Sequence, residues 1–263
     1  VLGGRLPVNT RHYDINLGLE TESIRMRYTS QEEIDLRKEL FYKVDSIIEN
    51  AISQEATPGC QVLIAKDGNI FFNKSYGYHT YEKRREVKNS DIYDLASITK
   101  IAATVPVLMH MVDNNKLNLD YPLGRYLHLD STNKKGLIIR DVLAHQARLT
   151  AWIPFYQKTL IKDSASGIMD FRDTLYSANL SKQYPHKVAH GIFLHKEYPD
   201  SIFKQIKDSE LLVENEYVYS DLGCYIFKEI IEREYKEPLN IVADKLFYKR
   251  LGLENLGYLP LGR

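Results

Sequence analysis

Residues 93–109 read Tyr93-Asp94-Leu95-Ala96-Ser97-Ile98-Thr99-Lys100-Ile101-Ala102-Ala103-Thr104-Val105-Pro106-Val107-Leu108-Met109, and the chemistry of the chain concentrates in Ser97-Ile98-Thr99-Lys100. From Ser97 to about Asn114 apolar residues fall on nearly every side of a helical projection, the pattern of a buried helix. Pro106 inside it should kink the helix or shift its hydrogen bonding. Positions i and i+3 share a helix face, so the Ser97 hydroxyl and the Lys100 amine can meet. A serine is a poor nucleophile until a neighbour takes its proton, which a neutral amine can do. An unperturbed lysine titrates near ~10.4, so burial or a positive neighbour must lower it for that role. A helix start supplies a partial positive charge and free N–H groups for a developing oxyanion.

Ser-x-x-Lys alone is a weak signal. It occurs at Ser97/Lys100, Ser131/Lys134 and Ser201/Lys204. The second lies in the turn-like run Asp130 to Gly136, where Lys134 is expected in solvent. The third follows Pro199-Asp200 and reads as a polar helix start. The first alone opens an apolar helix.

Upstream, Cys60–Ala65 and Asn69–Ser75 read as strands joined at Lys66-Asp67-Gly68, a strong hairpin signal. Before them, Ser30-Gln31-Glu32-Glu33 is a capping box. It precedes apolar positions Ile34, Leu40, Phe41, Val44, Ile47, Ile48 and Ile52, an amphipathic helix ending before Thr57-Pro58-Gly59. Residues 1–28 show no sustained period and read as an extended lead-in. Lys83, Arg84, Arg85 and Lys88 form a basic cluster without interleaved aromatics, read as a solvated loop. Downstream, about 115–215 is loop-rich and mostly helical in pattern, and a final helix, roughly Leu222 to Arg233, follows Tyr219-Ser220-Asp221. A lone hairpin is marginal by itself, so the sheet needs further strands.

Composition removes several classes. The 263 residues carry 35 basic and 35 acidic side chains, which gives no electrostatic case for nucleic acid as a partner. The longest apolar run, Ile101 to Val112, is too short for a membrane span, which needs about 20 residues. Cys60 and Cys224 make no disulfide framework. His186-x-x-x-His190 with His195 invites a metal, but Lys187 stands where a zinc protease needs Glu. No Gly-x-Ser-x-Gly elbow, no glycine-rich phosphate loop and no Gly-x-Gly-x-x-Gly is present; neither a metal nor an organic cofactor is expected. The absence of a starting Met suggests a processed piece, from which a signal peptide could have been lost.

In order along the chain stand the hairpin, Tyr93 to Lys100, Lys116-Leu117-Asn118-Leu119-Asp120, Asp141 to Leu149 around His145, Tyr219-Ser220-Asp221-Leu222-Gly223, and Leu251-Gly252-Leu253. Together they resemble the serine β-lactamase and penicillin-binding-protein-like superfamily, in its class C β-lactamase, esterase and D-peptidase branch. The resemblance covers about 29–263. It implies an α+β fold, an antiparallel sheet flanked by helices with a helical subdomain. It implies Ser97 as acylated nucleophile, Lys100 as its proton partner, Tyr219 as a second acid/base group, and the Ser97 N–H as half of an oxyanion hole. Asp221 stands where the pattern usually has Asn. An ionised carboxylate near Lys100 favours the ammonium, the wrong form for a base, unless Asp221 points away or Tyr219 carries more of the base role. A plain N-cap for the helix at Leu222 is the competing account of Asp221. Trp152 and Tyr156 are candidates to line a substrate cleft, with core packing as the alternative.

The family's third element, Lys or His then Thr or Ser and Gly on a strand, is not found, which suggests that 29–263 is the first two-thirds of such a domain, its C-terminal strands missing. By itself this piece is expected to be inactive. Gly4-Arg5-Leu6-Pro7-Val8 resembles the closing region of bacterial family-3 glycoside hydrolases, so residues 1–28 read as the tail of an upstream domain, implying a fusion with a β-N-acetylglucosaminidase. The resemblance implies a small-molecule or peptidoglycan-derived substrate, with an amide, ester or β-lactam carbonyl, and a periplasmic or secreted location. The rival reading is a non-catalytic accessory or binding domain of a glycosidase.

Overall fold

The computed structural model describes residues 26–30, 33, 39–162, 169–214 and 216–258. The chain divides into two compact units, Val1–Tyr93 and Asp94–Arg263.

In the first unit, helix α1 (Glu39–Ser53) precedes strands β2 (Gly59–Lys66) and β3 (Asn69–Gly77), with β1 (Arg27–Tyr28) ahead of all three. The expected hairpin forms: β2 and β3 pair antiparallel, and Asp67 and Gly68 turn the chain at φ 51° and 76°. The sheet is not wholly antiparallel, because the end of the lead-in adds β1 parallel to β3, in the order β1-β3-β2. Helix α1 packs Phe41 against Phe71 and Phe72, and Asp45 accepts hydrogen bonds from Lys74 Nζ at 2.9 Å and Tyr76 Oη at 2.5 Å. Two backbones meet where β2 starts: a Cβ at Gly59 would lie 2.5 Å from Tyr76 O and from Tyr78 N and O. At the capping box, Glu33 N donates to Ser30 O at 3.3 Å, while the Glu33 carboxylate accepts from Thr29 Oγ1. Gln31, Glu32, Ile34 and the Gly4–Val8 run lie outside the described residues.

In the second unit, the apolar helix begins with a wide π-type turn, Lys100–Thr104, and continues as α2 (Val105–Asp113). Pro106 is the cause. It has no N–H to give to the Ala102 carbonyl four residues back. Tyr248 Oη donates to that carbonyl instead, at 2.9 Å, and Tyr248 is itself buried. One face of this helix is core, with Ala103, Val107, Leu108 and Met111 buried; Ile98, Ile101 and Met109 on other faces are exposed, so it is not buried all round. Around that face pack α3 (Ile139–Leu143), α4 (Tyr198–Asp208), α5 (Leu222–Tyr235) and α6 (Leu239–Ala243). Leu222, Ile226, Phe227, Ile230 and Ile231 form the buried stripe of α5, at the spacing an amphipathic helix requires. A further π turn, Asp244–Tyr248, and α7 (Lys249–Leu251) lie beyond the helix that the sequence suggested was the last.

Two local expectations fail. The stretch 115–215 contains short strands as well as helices: β4 (Leu160–Lys162) pairs with β5 (Met169–Phe171), and β6 (Tyr176–Ser177), β7 (His186–Ala189) and β8 (Ile192–Leu194) form a second small sheet. His190-Gly191 is a two-residue hairpin turn, with Gly191 at φ 66° and Ala189 opposite Ile192. Lys134, expected in solvent, is 1% exposed. Its ammonium is buried at the cost of dehydration, offset by donating to Asn133 Oδ1, at 2.7 Å, and to the Ser209 carbonyl.

Candidate functional site

The turn into the apolar helix is built by Asp94, whose Oδ1 accepts the Ala96 N–H at 2.8 Å. Ala96 then takes φ 43°, a left-handed conformation unfavourable for a residue with a Cβ. Ile98 N closes the turn on Leu95 O at 2.9 Å, and Ser97 stands at the head of the helix. The N–H groups of Ile98, Thr99 and Lys100 are all spent on turn bonds, to Leu95, Ala96 and Ser97. One helix turn on, Lys100 Nζ donates to Ser97 Oγ at 2.9 Å, as the i, i+3 spacing predicts.

Tyr219 reaches the pair from the segment before α5. Val218 N donates to His145 O at 3.1 Å, Ser220 N to His145 Nδ1 at 3.1 Å, Ser220 Oγ to Thr150 O at 2.7 Å, and Asp221 N to Ala151 O at 2.8 Å. This ladder places the Tyr219 ring with its centroid 5.1 Å from Lys100 Nζ. Asp221 points inward: its Oδ1 lies 2.7 Å from Lys100 Nζ. That contact is an ion pair rather than an aligned hydrogen bond, since the same oxygen is covered and has no well-directed donor. Asp221 is the first residue before α5, yet its carboxylate does not cap the helix; Ser220 Oγ accepts the Leu222 N–H instead, at 3.2 Å. Ser97, Lys100, Tyr219 and Asp221 thus form one cluster.

Its charges are mutually dependent. Burial disfavours the Lys100 ammonium, but the Asp221 carboxylate and Tyr219 outweigh that and push Lys100 up to about 12. Lys100 and then Ser97, through hydrogen bonding to the phenolate, pull the Tyr219 phenol below its ordinary range; the Asp221 charge works against them. At neutral pH the lysine is therefore a proton-holding cation, and the tyrosine is the group moved toward ionisation.

A family model described as Beta-lactamase matches residues 44–260. The chain belongs to the beta-lactamase family. This is a family of serine hydrolases. The beta-lactamase-family chain is 27% identical over 234 residues to "N-acetylmuramyl-L-alanine amidase" of Bacillus subtilis (strain 168), covering 83% of this chain and 46% of that relative. It is 30% identical over 106 residues to "Protein flp" of Staphylococcus aureus (strain NCTC 8325 / PS 47), covering 39% of this chain and 21% of the relative. The chain therefore spans about half or less of the curated relatives it matches. Among solved structures, a class C beta-lactamase superposes with TM-score 0.59 at 16% identity, over 86% of this chain and 52% of that one. The octameric penicillin-binding protein homologue of Pyrococcus abyssi does so with TM-score 0.58 at 20% identity, over 81% and 43%. These likenesses establish the beta-lactamase-like α+β fold.

Trp152 and Tyr156 are 58% and 55% exposed, so core packing does not account for them. Trp152 follows Ala151, whose carbonyl accepts the Asp221 N–H; Tyr156 lies in the short helical turn Phe155–Thr159. Sequence spacing gave no role to His145, a lone histidine with no partner at a telling distance along the chain. Its ring lies 4.6 Å from the Tyr219 ring, centroid to centroid. Among the described residues no helix is long and apolar enough to cross a membrane, and no three His, Cys, Asp or Glu side chains gather as a metal site.

Proposed function

We propose that the chain carries the nucleophile of a serine acyl hydrolase acting on amide, ester or β-lactam carbonyls, with cell-wall peptide the substrate class. The observation that carries this is the Ser97 Oγ, Lys100 Nζ and Asp221 Oδ1 chain at 2.9 and 2.7 Å, with the Tyr219 phenol drawn toward ionisation by the same cation. The substrate class draws on the printed name of the 27% identical Bacillus subtilis amidase.

In this mechanism Tyr219, as phenolate, is the base. It takes the Ser97 proton while Oγ attacks the carbonyl carbon, and the carbonyl π electrons move onto oxygen. The oxyanion is held by the Ser97 N–H, one of the donors such a hole needs. Collapse breaks the bond to the leaving amine or alkoxide, which receives the proton from Tyr219, leaving an acyl ester on Ser97. Water then attacks that ester; Tyr219 takes its proton and returns it to Ser97 Oγ. Lys100 stays an ammonium throughout, donating to Ser97 Oγ and balancing the phenolate. Asp221 keeps it so. Trp152 and Tyr156 offer exposed aromatic surface for the substrate. We assign the second oxyanion donor to the family's third element in the whole protein. We place that protein outside the cytoplasm, with a β-N-acetylglucosaminidase upstream.

A second reading is favoured by one fact: a lysine held protonated near 12 cannot serve as the base beside Ser97. If Tyr219 cannot replace it, the domain binds without hydrolysing. A panel of p-nitrophenyl ester, chromogenic cephalosporin and D-Ala-terminated peptide separates the two in the longer protein. Turnover of any one, lost in Ser97→Ala, supports the hydrolase; no turnover of all three supports the binding domain.

A further inference from the structure

His145 lies outside the set Ser97, Lys100, Tyr219 and Asp221, yet three of its groups hold that set together. Its carbonyl accepts the Val218 N–H at 3.1 Å, its Nδ1 accepts the Ser220 N–H at 3.1 Å, and its ring lies against the Tyr219 ring at 4.6 Å, with the planes tilted 43°. Tyr217 also meets the His145 ring in a T-shaped contact, with centroids 6.0 Å apart. The Tyr219 residue is thus held from the chain on both sides of it by one histidine. His145 itself takes φ 57°, which aims its ring and its carbonyl at the same neighbouring segment. Outside glycine that conformation is best tolerated by Asn and Asp.

An imidazole nitrogen that accepts a backbone N–H carries no proton, so the ring is neutral with its hydrogen on Nε2. We infer that His145 is a positioning residue, whose neutral Nδ1 acceptor and ring face fix Tyr219 against Lys100 and Ser97, and whose protonation releases it. The inference that this serves catalysis rests on the acyl-transfer reading above; the positioning itself does not.

The charged and titratable groups facing the ring are Lys100 and Asp221, with Tyr217 and Tyr219 beside it. Burial first, and then the Lys100 ammonium, push the imidazole below its ordinary range, while Asp221 opposes them. Neutral His145 is therefore the form present at neutral pH. On acidification the imidazolium would lose the Ser220 bond and set a second cation beside Lys100.

Two variants divide the contributions. His145→Asn keeps a short acceptor and suits the positive φ, but cannot titrate. His145→Phe keeps a ring for Tyr219 and loses the acceptor. The first measurement is independent of activity: ring 15N shifts of His145 and exchange of the Ser220 amide, across pH, in the full-length protein. The expected result is an unprotonated Nδ1 at neutral pH, with Ser220 amide protection lost as His145 protonates, and lost in His145→Phe at all pH. A proton on Nδ1 at neutral pH, or a Ser220 amide indifferent to both changes, overturns the positioning.

The second measurement is the rate of Ser97 labelling by a fluorescent penicillin or fluorophosphonate. His145→Phe should slow it about 10- to 10²-fold, the scale of a misplaced catalytic group, with little change in probe affinity. His145→Asn should recover most of that loss. In wild type, log rate against pH should steepen from a slope of one, for Tyr219 alone, to two below the His145 titration; in His145→Asn it should stay at one. An unchanged slope in both proteins, or equal rates in all three, overturns the catalytic part of the inference. No labelling of wild type sinks the hydrolase reading instead, and the NMR result still decides the positioning.

Discussion

Replacing Asp221 by Asn removes one charge from the cluster and leaves the shape of the side chain. Lys100 Nζ is 2.7 Å from the Asp221 carboxylate and is pushed from 10.5 up to about 12. That rise amounts to about 2 kcal/mol favouring the charged lysine, the net of Asp221 and Tyr219 against burial. The Asp221 side chain is 44% exposed, so solvent screening trims this to about 1–2 kcal/mol. At pH 8 a lysine titrating near 12 is neutral in about one molecule in 10⁴. In Asp221→Asn the lysine titration falls, because burial then acts with less opposition. The Tyr219 phenol falls as well, because the Asp221 charge had been raising it. Both limbs of a labelling-rate profile should therefore move to lower pH, and the rate at neutral pH should rise about three- to tenfold. Stability follows the lysine. Its folded titration lies above its unfolded one, so the ion pair contributes fully below about 10.5 and is lost as pH rises through about 12. Urea unfolding should show Asp221→Asn less stable by about 1–2 kcal/mol at neutral pH, with the gap closing in alkali. An alkaline limb that stays in place, or a stability gap independent of pH, would refute the coupling of Asp221 to Lys100.

Two more outcomes test how the fold presents the site. Tyr248→Phe leaves the Ala102 carbonyl without its donor beside the proline, and should cost about 1–3 kcal/mol in chemical unfolding, with Ser97 labelling slowed because the π turn carries Lys100. Gly59→Ala drives a Cβ to 2.5 Å from three backbone atoms of Tyr76 and Tyr78; it should destabilise the first unit by about 3 kcal/mol or more, read as a fall in melting temperature.

The fold class was legible from motif order, and the Ser97–Lys100 pair from i, i+3 spacing at the head of an apolar helix, which the other two Ser-x-x-Lys runs lack. The hairpin at Asp67-Gly68 was legible because its turn chemistry is local. What was not legible depends on distant partners. Whether Asp221 capped a helix or faced Lys100 turned on Ser220, which takes the cap with its own hydroxyl. Lys134 looks like any lysine in a polar turn until the Ser209 carbonyl is brought over it. His145 and Arg148, at φ 57° and 60°, make a turn without glycine or asparagine, so no turn signal marked the residue that holds Tyr219. The short strands between 160 and 194 lack long alternation, and β1 is two residues paired across 42 positions.

The most direct test of the central claim is peptide mass mapping after an active-site serine probe reacts with the full-length protein, with Ser97→Ala as control. The account predicts a mass increase confined to the peptide containing Ser97 and abolished in Ser97→Ala. A folded protein left unlabelled at Ser97, or labelled equally in the variant, would contradict it.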